Sequence, residues 1–212
     1  AVDKVAYAQT LGIDFIICDH HTPDNRLPAA TAVLDSKRDD CTYPYKHLSG
    51  CGVGFKLMQA FAQDNGIDFA QLKPLLDLVA VSIASDIVPI TGENRVLAYY
   101  GLKQLNENPC AGLQGIIDVC KLSSKELTIS DIVFKIGPRI NASGRMHSGY
   151  EVVELLVSRD PEFVREKSSA INDYNDERRD IDKRTTDEAK SQIDSQIDLN
   201  NRHSIVIYNA EW

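Results

Sequence analysis

The chain has 212 residues, 43% of them hydrophobic, with 23 Lys and Arg against 31 Asp and Glu and a formal net charge of −8. That composition excludes a disordered or fibrous chain, and the length allows one large domain or one and a half small ones. No run approaches 18 uncharged apolar residues, which excludes a membrane-spanning helix, and the acidic balance argues against a protein coated by nucleic acid while leaving room for a local basic groove.

The chain opens on Ala1-Val2-Asp3-Lys4. It has no basic segment followed by an apolar one, so no secretory signal is expected, and without an initiator Met it is expected to be processed or internal to a longer protein. Cys18, Cys41, Cys51, Cys110 and Cys120 form an odd set with no Cys-x-x-Cys pair. That pattern argues against a disulfide framework or a zinc ribbon and predicts a reducing, cytoplasmic setting.

Residues 2–11 are predicted helical, stopping at Gly12. Ile13 to Cys18, apolar and β-branched between polar flanks, is predicted as a buried strand, and Thr31 to Leu34 as a second. Ser49-Gly50-Cys51-Gly52-Val53-Gly54 opens a helix predicted to run to about Asn65, with further helices over about Phe69–Ser85 and Asn94–Asn106. This alternation predicts an α/β layer with parallel strands. Beyond Gly149 the character changes. Asp160-Pro161-Glu162 supplies a cap, a proline in the first turn and an acid beside it. Phe163, Val164, Ala170, Ile171, Tyr174, Ile181 and Ala189 then recur among charges such as Asp176-Glu177-Arg178-Arg179-Asp180. One long, largely solvated helix is predicted there, of the kind that bridges domains. Ser204 to Tyr208 is predicted as a strand opening a next domain that Trp212 cuts off.

Asp19-His20-His21-Thr22-Pro23 stands at the C-terminal end of the first strand. Catalytic and ligand groups of open α/β sheets gather at such ends, and carboxylate plus imidazole suits divalent cations such as Mn²⁺. Successive side chains on extended backbone diverge, so His20 and His21 are expected to do different jobs, one on metal and the other supporting it or touching phosphate. The same tripeptide also suits a polar turn with two exposed histidines. Asp86 ends the apolar Val79-to-Ser85 stretch and precedes Ile87-Val88-Pro89. An acid there needs a partner or caps a turn. In Ile136-Gly137-Pro138-Arg139-Ile140-Asn141-Ala142-Ser143-Gly144-Arg145-Met146, two glycines permit close backbone approach. Arg139 and Arg145, with Asn141 and Ser143 between them, suit a phosphate clamp; a helix stop followed by a turn explains the segment equally well. The Gly50-x-Gly52-x-Gly54 stretch lacks the order of a dinucleotide site and the Lys-Ser/Thr of a P-loop, so it reads as helix packing. His47 and His147 read as loop surface residues.

In this order, the segments resemble the RecJ exonucleases of the DHH phosphoesterase superfamily. The resemblance rests on Asp19–Pro23, on Leu48 to Lys56, on Asp86 to Ile90 with Gly92 to Arg95 following, and on Gly137 to Met146 with Ser143 where the family has Ala. It implies an α/β DHH domain lacking its N-terminal part (residues 1–158), a connecting helix (159–199) and the first strand of a truncated, smaller DHHA1 domain (200–212). It implies a metal-dependent exodeoxyribonuclease that hydrolyses single-stranded DNA from the 5′ end to mononucleotides in repair and recombination. Mn²⁺ or Mg²⁺ would be the cofactor, two ions in the full-length protein. Asp19, His20, His21 and Asp86 would be ligands and catalytic residues, and Arg139, Asn141, Ser143 and Arg145 phosphate binders. The implied partners are single-stranded DNA, a DNA-repair helicase and a single-strand-binding protein. The family's upstream Asp-x-Asp-x-Asp cluster and the aspartate of its next strand are missing here, so the chain is expected to be inactive alone. Two other readings share these residues: a DHH phosphodiesterase for oligonucleotides or cyclic dinucleotides, which should lack the Gly137–Met146 motif, and an inactive RecJ-like scaffold, which should have lost its ligands.

Overall fold

The computed structural model describes residues 1–196 and 204–212. Helix α1 (Val2–Thr10) leads through Gly12, which adopts a left-handed φ of +69°, into strand β1 (Ile16–Cys18). A second strand, β2 (Ala32–Leu34), lies parallel to it in the register Ile16–Ala32, Ile17–Val33, Cys18–Leu34. The α/β layer is therefore present, but β1 is shorter and less buried than predicted. Ile13, Phe15 and Ile16 are exposed by 53, 40 and 56%. An apolar β-branched run is buried only where neighbours cover it, and among the described residues β1 pairs with β2 alone.

Helix α2 (Gly50–Asp64) is capped by Ser49, whose buried side chain accepts from the Gly52 amide at 3.1 Å. The helix predicted over Phe69–Ser85 begins later. Two 3₁₀ turns (Phe69–Gln71 and Lys73–Leu75) precede helix α3 (Leu76–Ser85), because Pro74 has no N–H to give and is tolerated only in a first turn. Helix α4 (Gly92–Glu107) crosses α3 closely. At Gly101 an added Cβ would lie 2.7 Å from the Ala80 Cβ and closer still to the Leu76 carbonyl oxygen.

Helix α5 (Ala111–Val119) starts where the Cys110 amide donates to the buried Asp77 carboxyl at 2.7 Å. Burial pushes that carboxyl up, against the amides of Cys110 and Leu78 that donate to it. A short helical turn, α6 (Ile129–Asp131), carries a Thr128–Asp131 capping box. It widens into a π-helical turn (Ile132–Ile136) and continues as α7 (Gly137–Met146). The Gly137–Met146 segment is thus helical, not a stop and turn. Pro138, which cannot donate to the carbonyl four residues back, sits next to the π-turn that accommodates it. Helices α8 (Gly149–Val157) and α9 (Pro161–Gln196, 36 residues) complete the order.

One hydrophobic cluster joins α3, α5, the π-turn, α8 and the first half of α9 around Leu113, Ile116, Ile132, Ile136, Leu155 and Ile171; a second joins α2, α3 and α4 around Phe55, Val79 and Ile83. From Asp176 to Ser195, α9 has no buried residue. Residues 197–203, where the predicted connecting helix ends and the next segment starts, lie outside the described residues. Ser204–Tyr208 is not a strand: among the described residues no neighbour pairs with it, and Val206 and Tyr208 are exposed by 94 and 82%. All five cysteines are free thiols. Among the described residues no helix is long and apolar enough to cross a membrane.

Candidate metal and phosphate site

The Asp19 amide donates to the Leu34 carbonyl at 2.9 Å, so the parallel pairing of β1 and β2 holds the chain at the point where it leaves the sheet. The Asp19 Oδ1 atom then gathers three nitrogens: the amides of His20 (2.7 Å) and His21 (3.2 Å) and the His21 Nδ1 (2.7 Å). Partial burial alone would push the Asp19 carboxyl up; the His21 imidazole and the two amides outweigh it and hold the carboxyl below its ordinary value. A carboxylate only accepts, so His21 donates through Nδ1 and its Nε2 lone pair faces outward. His21 is exposed.

His20 turns the other way, as alternation on extended backbone requires. Its side chain is 13% exposed, and its Nε2 lies 2.9 Å from the Asp86 Oδ2. The His20 Nδ1 is buried and has no hydrogen-bond partner among the described residues. Gly50, at the start of α2, backs the imidazole: a Cβ there would be 3.4 Å from the His20 Cδ2. Asp86 reaches His20 from the C-terminal end of α3, and the next residue, Ile87, takes a left-handed φ of 54° that turns the chain out of the helix.

Asp19, His20 and His21 each offer one ligand atom, all within 4.8 Å of one another, and Asp86 adds a carboxylate beside them. The donor set of carboxylate oxygens and imidazole nitrogens, with a buried imidazole nitrogen left unpaired, fits a divalent cation of the Mn²⁺ or Mg²⁺ type.

The phosphate candidates divide. Asn141 and Arg145 line an open hollow of about 530 Å³ together with Ser85, Asp86 and Ile87. Arg139 is held elsewhere: its Nε donates to the Asn172 Oδ1 at 3.0 Å and its Nη1 to the Lys135 carbonyl at 3.0 Å, tying α7 to α9. Ser143 is fully buried and spends its hydroxyl on the Ser148 carbonyl. Six residues along a helix put Arg139 and Arg145 on different sides of it, so a two-arginine clamp does not form. His147 stacks on Tyr174 at 3.8 Å, and His47 is an exposed loop residue. A larger hollow of about 700 Å³ between the end of β2 and α2 contains none of these residues; the chemistry of the donors, not cavity size, marks the site. Gly50 was read from sequence as a packing residue. Its place behind His20 is a tertiary contact with no local signal.

Residues 1–83 match the DHH family, N-terminal domain. The chain is 35% identical over 213 residues to the single-stranded-DNA-specific exonuclease RecJ of Bacillus subtilis, an alignment covering all of this chain and 26% of that protein. It is 35% identical over 188 residues to RecJ of Escherichia coli, covering 84% of this chain and 33% of that one. For Haemophilus influenzae RecJ the figures are 34% over 220 residues, 99% and 38%. A crystal structure of exonuclease RecJ bound to manganese superposes with a TM-score of 0.77 at 25% identity, covering 91% of this chain and 49% of that one. Thermus thermophilus RecJ in complex with Mn²⁺ has the same fold, with a TM-score of 0.76 at 24% identity, over 92% of this chain and 29% of that one. The chain thus spans between a quarter and two fifths of the length of these curated relatives; it is similar to the DHH family over residues 1–83 and to RecJ proteins along most of its length.

Proposed function

We propose that the chain is a segment, carrying part of the metal and phosphate site, of a nuclease that hydrolyses phosphodiester bonds of single-stranded DNA, working from the 5′ end and releasing mononucleotides in DNA repair and recombination. The observation that carries this reading is the convergence of Asp19, His20 and His21 at the end of β1 with Asp86 from the end of α3. Residues 1–158 form part of the DHH domain, 159–199 the connecting helix and 200–212 the start of a DHHA1 domain. Single-stranded DNA is the substrate; a repair helicase and a single-strand-binding protein are the partners of the full-length protein, in the cytoplasm.

Asp19, His20, His21 and Asp86 would hold Mn²⁺ or Mg²⁺, which would supply an activated water and neutralise charge on the phosphate. The Asp19 turn fixes the tautomer of His21 and leaves its Nε2 lone pair available. Asp86 orients His20 through Nε2, and Gly50 leaves room for the imidazole edge. Arg145 and Asn141 face the phosphate from the hollow beside Asp86, while Arg139 and Ser143 keep α7 in place against α9 and the start of α8.

The test is made on the full-length enzyme. Asp19→Ala, His20→Ala and Asp86→Ala should each abolish Mn²⁺-dependent release of nucleotides from 5′-phosphorylated single strands. Activity within a few-fold of wild type in any one removes that residue from the site. Arg145→Ala should lower the slope of log affinity against log salt by roughly 0.7, one phosphate contact on a single strand, and Arg139→Ala should leave it unchanged. The 212-residue chain by itself, with one Asp-His-His cluster and Asp86 as its recognisable ligands, should release no mononucleotides with either metal.

A further inference from the structure

We infer that Asn94 is a positioning residue that sets the distance between His20 and Asp86; the role rests on the reading of that pair as part of the metal site. Asn94 lies in the first turn of α4 and is completely buried. Its side-chain amide nitrogen donates twice, to the His47 carbonyl at 2.6 Å and to the Pro89 carbonyl at 3.0 Å. These two carbonyls belong to the two segments whose ends meet the same edge of the His20 imidazole, at Cδ2 and Nε2. His47 comes three residues before Gly50, which backs the imidazole edge, and Pro89 three residues after Asp86, which holds Nε2. A single NH₂ group therefore ties together the two segments that converge on that edge, donating to neither the imidazole nor the carboxylate.

The platform under Asn94 is rigid. Helix α4 is locked to α3 by the glycine crossing at Gly101, so the amide is delivered from a fixed element. Tyr45 reinforces the same tie from outside. Its hydroxyl donates to the Pro89 carbonyl at 3.1 Å and lies 3.2 Å from the Thr91 Oγ1, and its aromatic carbons stand where a Cβ at Gly92 (φ +47°) would come within 2.7 Å. The loop from Asp86 to Gly92 contains one left-handed isoleucine; Val88 packs against the α2–α4 cluster, and these ties hold the Pro89 carbonyl. Without them, the Asp86 carboxylate has no fixed separation from His20.

The acceptor side of Asn94 argues the same way. Its Oδ1 is buried with no partner among the described residues, so the asparagine is not retained for a balanced hydrogen-bond set. An alanine at this position would leave the His47 carbonyl short of a donor, the Pro89 carbonyl with the Tyr45 hydroxyl alone, and the two loops without this link.

The experiment is a double-mutant cycle of Asn94→Ala with Asp86→Ala in the full-length enzyme, read by Mn²⁺ affinity from the electron paramagnetic resonance of free Mn²⁺, together with kcat and KM on single-stranded DNA. Asn94→Ala alone should lower kcat by about 10- to 100-fold, the usual effect of losing a group that orients a metal ligand, with KM for DNA changed less than about twofold. Asp86→Ala should weaken Mn²⁺ binding in the wild-type background and by a much smaller factor when Asn94 is already Ala, because the carboxylate is then no longer held in place. Tyr45→Phe, which keeps the ring against Gly92 and removes only the hydroxyl, should shift kcat in the same direction by a smaller factor; it decides the matter where Asn94→Ala fails to fold. Additive effects on Mn²⁺ affinity, or Asn94→Ala and Tyr45→Phe both retaining wild-type kcat, would overturn the role. Asp86→Ala that leaves Mn²⁺ affinity untouched would instead overturn the metal site and the tether with it.

Discussion

Replacing Gly101 by Ala sets two measurable effects against each other. Alanine in the middle of α4 gains about 1 kcal/mol in helix propensity over glycine. The new Cβ, however, would sit 2.7 Å from the Ala80 Cβ, where ordinary contact begins at 3.4 Å, and nearer still to the Leu76 carbonyl oxygen. The shortfall, about 0.7 Å at the Ala80 Cβ and greater at the Leu76 carbonyl oxygen, falls on the backbone and first side-chain carbon of α3, which no rotamer change can move. Helix α3 must shift as a body, and Leu76, Val79, Ala80 and Ile83 are all buried, at 5, 1, 0 and 0% exposure. Overpacking of this kind costs typically about 1–3 kcal/mol, and a displaced backbone belongs at the upper end. Net destabilisation of about 2 kcal/mol is expected, which lowers the midpoint of a thermal melt by roughly 4–8 °C for a chain of this size. Circular dichroism of the 212-residue chain measures it. An unchanged or higher midpoint would mean that propensity wins and that α3 and α4 are not in backbone contact. Because Asp86 caps α3, the same substitution in the full-length enzyme should also lower Mn²⁺-dependent activity.

Three other perturbations test separate parts of the structure. Lys125, and after it Thr128 and Lys135, hold the Asp131 carboxyl well below the usual carboxylate range despite its burial. Its contribution is therefore full above the unfolded-chain value near ~3.9 and is lost as pH falls below it toward the folded value. Asp131→Asn should cost about 1–3 kcal/mol at pH 7, with the gap to wild type closing in urea titrations below about pH 4; a gap independent of pH would refute the ion pairs. Ser168 is buried, its hydroxyl lacks a partner among the described residues, and it stands where a Gly115 Cβ would go. Ser168→Ala should be neutral or stabilising by up to about 1 kcal/mol, and a clear loss in chemical denaturation would reveal a bond the hydroxyl makes. Ile87, 84% exposed at φ 54°, carries left-handed strain of roughly 1–2 kcal/mol for a β-branched residue. Ile87→Gly should raise the melting midpoint by a few degrees, and a fall would show that the isoleucine side chain packs after all.

Local chemistry was legible in the sequence; long-range pairing was not. Asp19, His20 and His21 stand out at the end of an apolar strand, where a polar turn would explain them as well as a ligand site, and the structure gathers them with Asp86. The partner of Asp86 was invisible, since His20 lies far away in the chain and only the packing of α3 beside α2 brings them together. Glycine misled in α7. Gly137 and Gly144 read equally as close approach to a ligand or as a helix stop, yet Gly137 sits inside a continuous helical run, where a Cβ would come 2.7 Å from the Ser85 Oγ. The same effect hid α5, whose Gly112 and Gly115 serve the close approach of α8 and α9. Pro74 was the legible signal not used: it marks where the helix over Leu76–Ser85 begins. The strand at Ile13–Cys18 was recognised by its β-branched residues, but burial is a property of neighbours, and composition does not count them.

Helix α9 divides mechanically at Asn175, the last of its residues that is buried. Up to there it is bolted to α5, α7 and α8 through Val164, Ser168 and Ile171. The turns from Asp176 to Gln196 extend roughly 30 Å beyond that anchor at 1.5 Å per residue. They form a lever: a tilt of about 10° at Asn175 carries the far end through roughly 5 Å, more than a hydrogen bond can follow, without any change in the helix itself. The Arg139–Asn172 bond and the His147–Tyr174 stack sit at the fulcrum, and Arg139 and His147 lie on either side, in sequence, of the α7 residues that line the hollow beside Asp86. Small displacements of α7 are thus multiplied with distance along the arm.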